Sequence, residues 1–282
     1  RVGMITNVGT SLMELLGSRE GIAKAKSEIL EGMGAGDTLL IHGDEPLLAP
    51  TAEMAVARGV TPLRVSLTDP TAPVYARITG SERGGMTFDL TLRVGAHQPA
   101  TTWEGLHIPA LGEHMVWAAA FAAATGYLMG MEREAVAAGL ADYRTAAMRQ
   151  SHRTVGDITL LEDCYNAAPE SMRAALDVLS HANGRRIAVL GDMKELGATE
   201  RELHRGVGTA VAAHRLHLLV TVGDLGAEIG QGAISAGMPA HQVRITPTGT
   251  DYATVARDLI PLLQPGDTVL LKASRAMGLE AL

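Results

Sequence analysis

The 282-residue chain has one cysteine, Cys164, which excludes an intrachain disulfide framework and a multi-cysteine zinc site and fits a reducing, cytoplasmic setting. Aromatic residues are scarce, with 2 Trp, 5 Tyr and 2 Phe, so any core must be built from aliphatic side chains and alanine. No long apolar run is present. The longest uncharged stretch near the middle, 115–131, is rich in Ala and Gly and falls short of the ~20 strongly apolar residues a spanning helix needs. Basic residues are outnumbered, 24 Lys plus Arg against 31 Asp plus Glu, and a net charge of −7 lacks the footprint of a non-specific nucleic-acid binder. Three motifs are also missing. Without a Gly-Lys dipeptide there is no GxxxxGK[ST] phosphate loop; no GxGxxG follows a strand, against dinucleotide binding; and HExxH does not occur.

What the chain does have is 46% hydrophobic residues and a length that suits two domains better than one. In the first half, GIAKAKSEILE (21–31) has helical periodicity, with Ile22, Ile29 and Leu30 expected in the core. The strand TLLIH follows, and then a helix over PTAEMAVARG that Gly59 should cap. The segments around SERGG predict a hairpin, with Phe88, Leu90, Leu92 and Val94 on its buried face. Helices are expected over 113–129 and 132–140. From about Thr154 the apolar runs ITLLED, RIAVLGD, HLLVTVG and DTVLLKA alternate with helices beginning near Pro169, Thr199, Leu225 and Asp251. That alternation predicts a parallel sheet covered on both faces. The fold class expected is α/β, a partial mixed-sheet domain over 1–146 followed by a Rossmann-like doubly wound domain over 147–282. Because the chain opens on Arg1 and runs directly into the strand-like VGMIT, it is expected to be a piece of a longer protein.

Five runs crowd polar residues at strand ends or helix starts: 5–29, 112–123, 161–172, 189–197 and 271–280. In open parallel sheets, ligands bind beyond the carboxyl ends of the strands. Asp163 to Asn166, Asp192 and Lys272 to Arg275 all fall at such ends. Asp192 and Ser171 are equally readable as helix caps. His214 and His217 sit where a helix gives way to a strand, a place that favours cations through the helix dipole rather than a metal site. Cys164 reads as a buried, inert thiol.

These runs, in this order, resemble the Mur ligases, and DCYNAAPESM, LGDMKELG and KASRAMGLE resemble the branch that adds D-alanyl-D-alanine. The resemblance covers essentially the whole chain, as the latter part of an ATP-binding central domain and nearly all of a carboxy-terminal domain. It places the family's amino-terminal domain, phosphate loop and early magnesium-binding Glu before Arg1. It implies an ATP- and Mg²⁺-dependent ligase in peptidoglycan precursor synthesis, joining D-alanyl-D-alanine to UDP-N-acetylmuramoyl-tripeptide through an acyl phosphate. It also implies roles. Lys26 matches a lysine that relatives carry as a carbamate, an anionic oxygen donor suited to Mg²⁺. His114 opens the run on the adenine side, and Asp163, Tyr165 and Asn166 match the strand-end motif that helps hold the nucleotide. Lys272, Ser274 and Arg275 match the motif near the incoming dipeptide and phosphate, with Asp192 as a further substrate-side residue. Four positions depart from the pattern. Leu12 stands where the family usually has a magnesium-approaching His, and Met115, Ala118 and Ala168 stand where it has Asn. These departures leave open a ligase-derived binding or scaffold module without catalysis, or another Mur-type amino-acid ligase.

Overall fold

The computed structural model describes residues 1–82, 84–95 and 99–282. The chain divides into two compact units. One comprises Arg1–Gly9 with Leu16–Arg144, and the other Thr10–Leu15 with Thr145–Leu282.

The first unit is built on a six-stranded sheet in the order β1 (Val2–Ile5), β2 (Thr38–His42), β3 (Thr61–Ser66), β4 (Val74–Glu82), β5 (Gly85–Leu92) and β6 (Thr101–Ile108). β1 to β4 run parallel, and the last two pairings are antiparallel, so the sheet is mixed. A short helix, α1 (Met13–Leu16), falls mostly in the Thr10–Leu15 segment assigned to the second unit; the first unit resumes with α2 (Arg19–Ser27), which is started by Ser18 accepting from the Gly21 N–H at 3.1 Å. α3 (Ala49–Ala57) ends as expected beside Gly59, whose φ of +74° is the left-handed conformation a helix stop requires. α4 (Glu113–Leu128) is apolar nearly all round and lies against the sheet, where Val116, Ala120 and Phe121 join Phe88, Leu90 and Leu106 in the core. α5 (Arg133–Ala141) closes the unit. One expected core residue lies elsewhere. Ile29 is 37% exposed because the helix tightens to a 3₁₀ turn at Glu28–Gly32, which rotates Leu30 inward and Ile29 out.

The second unit is the doubly wound sheet. Its strands are β7 (Ser151–Val155), β8 (Ile158–Glu162), β9 (Arg186–Gly191), β10 (Leu218–Val222), β11 (Val243–Ile245) and β12 (Thr268–Lys272), in the spatial order β11-β10-β9-β12-β8-β7. All neighbours are parallel except the edge strand β7, which pairs antiparallel with β8. The connecting helices are α6 (Pro169–Ser180), α7 (Glu200–Ala213), α8 (Gly226–Ser235) and α9 (Tyr252–Leu259). Val255 and Leu259 of α9 pack on Ile187, Val189, Val220 and Leu271. Gly226 of α8 lies over the alternate residue Thr221, on the opposite face. β12 returns between β9 and β8, so a switch point is created where β12 meets its neighbours.

Candidate functional site

In the first unit, polar groups gather beyond the carboxyl ends of β1 and β2. Lys26, in the last turn of α2, donates from Nζ to Asn7 Oδ1 at 3.3 Å, just past β1. Partial desolvation pulls its ammonium pKa below the ordinary lysine value. Arg19 Nη2 donates to the Val8 carbonyl at 2.8 Å and also to Glu45, which ties the strand-end turn to the segment after β2. His42, the last residue of β2, stacks on Trp117 of α4 with ring centroids 3.6 Å apart and planes 19° apart. Burial lowers the His42 pKa, and its Nδ1 is buried without a hydrogen-bond partner among the described residues. His114 is half-buried in the first turn of the same helix, one turn before Trp117.

In the second unit, the ends of β8, β9 and β12 are laced together. Lys272 is 1% exposed, and its ammonium reaches Asp163 Oδ2 at 2.6 Å, the Asn166 carbonyl at 3.0 Å and the Asp163 carbonyl at 3.4 Å. Those three acceptors match the three protons of an ammonium group. Tyr165, 45% exposed, stands outward with the Arg149 guanidinium 4.0 Å from its ring centroid, a cation–π contact. The backbone N–H of Tyr165 donates to the Met148 carbonyl at 3.0 Å. Arg275 is exposed at the rim, pairs with Glu280 and lies against Met148 Sδ. Ser274 is buried, and its hydroxyl accepts from the Lys194 N–H at 2.9 Å.

Asp192 is a cap. Its Oδ1 accepts from the Leu225 and Gly226 N–H groups at 3.0 and 2.8 Å, at the start of α8, while Oδ2 pairs with Lys194 Nζ at 2.8 Å. Ser171 likewise serves the start of α6, accepting from the Ala168 N–H at 3.0 Å. Cys164 is buried, and burial pushes its thiol pKa up to about 12, which makes it inert as a nucleophile. Among the described residues, no group of three or more His, Cys, Asp or Glu side chains could hold a metal ion. No helix among them is long and apolar enough to cross a membrane.

The structure thus groups Asp163, Asn166 and Lys272 in one hydrogen-bonded knot, and Ser274, Lys194 and Asp192 in a second. Lys26 and His114 lie in the first unit. Sequence reasoning missed Asn7, Arg19, His42 and Trp117, and in the second unit Arg149 and His204. Asn7 and Arg19 fell inside the 5–29 run already marked as polar-rich, and His42 closes the strand TLLIH. Trp117 fell inside the 112–123 run, while His204 carried no signal, since helical periodicity gives no reason for it to meet a strand end.

Two α/β units, each with polar residues gathered beyond the carboxyl ends of parallel strands, define an open-sheet α/β protein, a class of fold whose ligand crevices lie at those strand ends. Residues 1–126 match the Mur ligase middle domain and residues 148–275 the Mur ligase glutamate ligase domain, so the chain belongs to the Mur ligase family. Among its relatives, the UDP-N-acetylmuramoyl-tripeptide--D-alanyl-D-alanine ligase of Bacillus subtilis (strain 168) is 33% identical over 291 residues, covering 98% of this chain and 57% of that protein. The protein of the same name from Mycobacterium tuberculosis (strain ATCC 25618 / H37Rv) is 33% identical over 304 residues, covering 99% of this chain and 56% of that one. The chain therefore spans less than two thirds of the curated relatives it matches. A crystal structure of MurF from Acinetobacter baumannii superposes with a TM-score of 0.84 at 27% identity, covering 99% of this chain and 58% of that one. MurF ligase from Thermotoga maritima in complex with ADP shares the fold, with a TM-score of 0.78 at 22% identity, covering 99% of this chain and 60% of that one.

Proposed function

We propose that this chain is part of an ATP-dependent ligase that joins D-alanyl-D-alanine to UDP-N-acetylmuramoyl-tripeptide through an acyl phosphate, in the cytoplasm. The observation that carries this reading is 33% identity to a D-alanyl-D-alanine-adding ligase across 98% of the chain. Residues 1–146 are read as the latter part of the ATP-binding central domain and 147–282 as the carboxy-terminal domain.

The activity needs ATP and Mg²⁺, and the end of α2 would offer the metal one ligand, Lys26 as a carbamate. Carbamylation requires a neutral amine, and partial desolvation beside Asn7 favours that form of Lys26. As a carbamate, Lys26 would offer the oxygen donor that Mg²⁺ prefers. The metal, when bound, supplies neutralisation of phosphate charge. His114, at the start of α4, serves the adenine side. Tyr165 and Asn166 border the nucleotide, on a loop whose shape Lys272 and Asp163 fix from within. Arg275 binds the carboxylate of the dipeptide or the transferring phosphate, exchanging Glu280 for the ligand anion; its planar fork suits either. Asp192 and Ser274 act as positioning residues, holding the Lys194 segment beside β12.

In the complete protein, Lys26→Ala should abolish turnover and regain part of it with a small carboxylic acid. ¹³C-labelled CO₂ should give a carbamate signal that disappears in the variant. Arg275→Lys should lower turnover ~10-fold, about 1.4 kcal/mol of transition-state stabilisation, without altering thermal stability. Near-normal turnover by Lys26→Ala without added acid would remove the carbamate from the reading. The second reading, a ligase-derived module without catalysis, draws on Leu12, Met115, Ala118 and Ala168; it requires that the complete protein show no ATP-driven joining at all.

A further inference from the structure

The second unit has a cavity of about 490 Å³ at the opposite, amino-terminal ends of its strands. Volumes of this size are typical of small-molecule sites. Arg185 precedes β9, His217 precedes β10, His241 and Arg244 flank the start of β11, and all four line the cavity. Gln242 and Gln264 add two amides, and no carboxylate is among the lining residues. In a chain of net charge −7, a cavity lined by two guanidiniums, two imidazoles and no acid is a local reversal of charge.

Cations at this end of a doubly wound unit have an ordinary purpose, since helix carboxyl ends point there. Arg186 already fills that purpose, donating from Nη1 to the Ser180 carbonyl at the end of α6 and from Nη2 to the Arg215 carbonyl beyond α7. Arg186 does not line the cavity. Arg244 spends only Nη1 on carbonyls, those of His241 at 2.8 Å and Val243 at 3.3 Å. Arg185 spends only Nη1, on the Leu262 carbonyl at 3.4 Å and on Asp267 at 3.5 Å. Asp267 is buried and also accepts from the Gln264 N–H at 2.8 Å, so it offsets part of one charge. Among the described residues, each guanidinium thus retains its Nε and Nη2 donors. His217 accepts at Nδ1 from the Arg186 N–H at 3.1 Å, which puts its neutral-form proton on Nε2 and makes that nitrogen a donor.

We propose that this cavity is an anion site for a diphosphate-bearing small molecule, separate from the strand carboxyl ends that carry the proposed ligase residues. Paired guanidiniums bind phosphoryl oxygens through planar forks, imidazole Nε2–H and amide groups complete the donor set, and a two-phosphate anion can engage both arginines at once. Leu218 and Pro261 give the cavity an apolar wall, so the anion can come from inorganic pyrophosphate or from a nucleoside diphosphate.

The test is NMR titration of the 282-residue chain, without Mg²⁺, using inorganic pyrophosphate in one arm and UDP in the other. The imidazole signals of His217 and His241 should shift saturably at concentrations up to ~1 mM and shift back as salt is raised. Arg185→Gln combined with Arg244→Gln should weaken binding at least tenfold. His241→Ala, a rim substitution with little risk to folding, should weaken it several-fold and serves if the double variant does not fold. Tighter binding of UDP than of pyrophosphate assigns the site to a nucleotide, and equal binding to the anion alone. Unmoved His217 and His241 signals, or equal affinity in the variants, would overturn the proposal and leave the ligase reading untouched.

Discussion

Lys272, the last residue of β12, donates to Asp163 beyond the neighbouring strand β8 at 2.6 Å, a pairing between residues 109 positions apart. The ammonium is almost wholly removed from solvent. Removing one partner of a buried pair leaves the other charge uncompensated, at a cost of about 3–5 kcal/mol. Lys272→Met should therefore destabilise the chain by that order in urea unfolding, and adding Asp163→Asn should recover part of the loss. Full additivity of the two losses would show that the pair is not coupled.

His204 is fully buried in α7, accepting from the Met193 N–H at Nε2 (2.9 Å) and sharing Nδ1 with the Glu200 carbonyl at 2.6 Å. Desolvation is the main reason its pKa lies below the ordinary 6.5. The unfolded chain then takes up this proton first as pH falls, so the contribution of His204 to stability is present above about 6.5 and is lost as pH drops toward the folded value. Urea midpoints at pH 7.5 and 5.5 should show that decline, and His204→Gln should flatten it. An unchanged slope in the variant would place the pH dependence on other groups, His42 and His152 being similarly depressed.

Two helical glycines should respond oppositely to alanine. A Cβ at Gly208 in α7 would lie 2.1 Å from the Ile229 carbonyl oxygen and 2.6 Å from the Ala233 nitrogen of α8, both backbone atoms that cannot swing aside. Gly208→Ala should cost about 1–3 kcal/mol. At Gly139 in α5 a Cβ would meet nothing within 4 Å, so Gly139→Ala should add about 0.5–1 kcal/mol through helix propensity. Thermal denaturation of the two variants checks both signs.

Leu12 has a φ of +69°, a conformation that costs a leucine about 1–2 kcal/mol and an asparagine less. Its segment belongs to the second unit, where the Thr10 hydroxyl donates to Glu170 at 3.0 Å and the Glu14 N–H to the Glu195 carbonyl at 3.2 Å. Leu12→Asn should raise the unfolding midpoint by a small, measurable amount. A lowered midpoint would mean that the partly exposed leucine side chain contributes packing that outweighs its backbone strain.

The strands most legible in the sequence were β8, β9, β10 and β12, because a parallel strand covered on both faces must be an almost unbroken apolar run. β11, at three residues, is too short to show a pattern, and β7 is an exposed edge strand whose residues alternate nothing. Gly59 was readable because helix termination needs a left-handed residue. Ile29 was misplaced because a helical wheel assumes 3.6 residues per turn through a segment that tightens to three.

For the candidate site, the sequence alone determined which segments carry polar chemistry. It did so because a strand end or helix start is where a polar residue interrupts an apolar pattern. The tertiary structure decided what each residue does with its atoms. It put the exposed Lys26 amine beside Asn7, with its pKa lowered by partial desolvation, and closed all three Lys272 protons on Asp163 and Asn166; Arg275 was left at the rim with an exchangeable carboxylate. It also gathered Arg185, His217, His241 and Arg244 around one cavity, though they are spread over sixty positions of sequence. Side chains from separate strands become neighbours only through strand order. The cavity residues meet because β9, β10 and β11 lie side by side, and Lys272 meets Asp163 because the last strand inserts between β9 and β8, a crossover that depends on the packing of the whole unit and that no local pattern specifies.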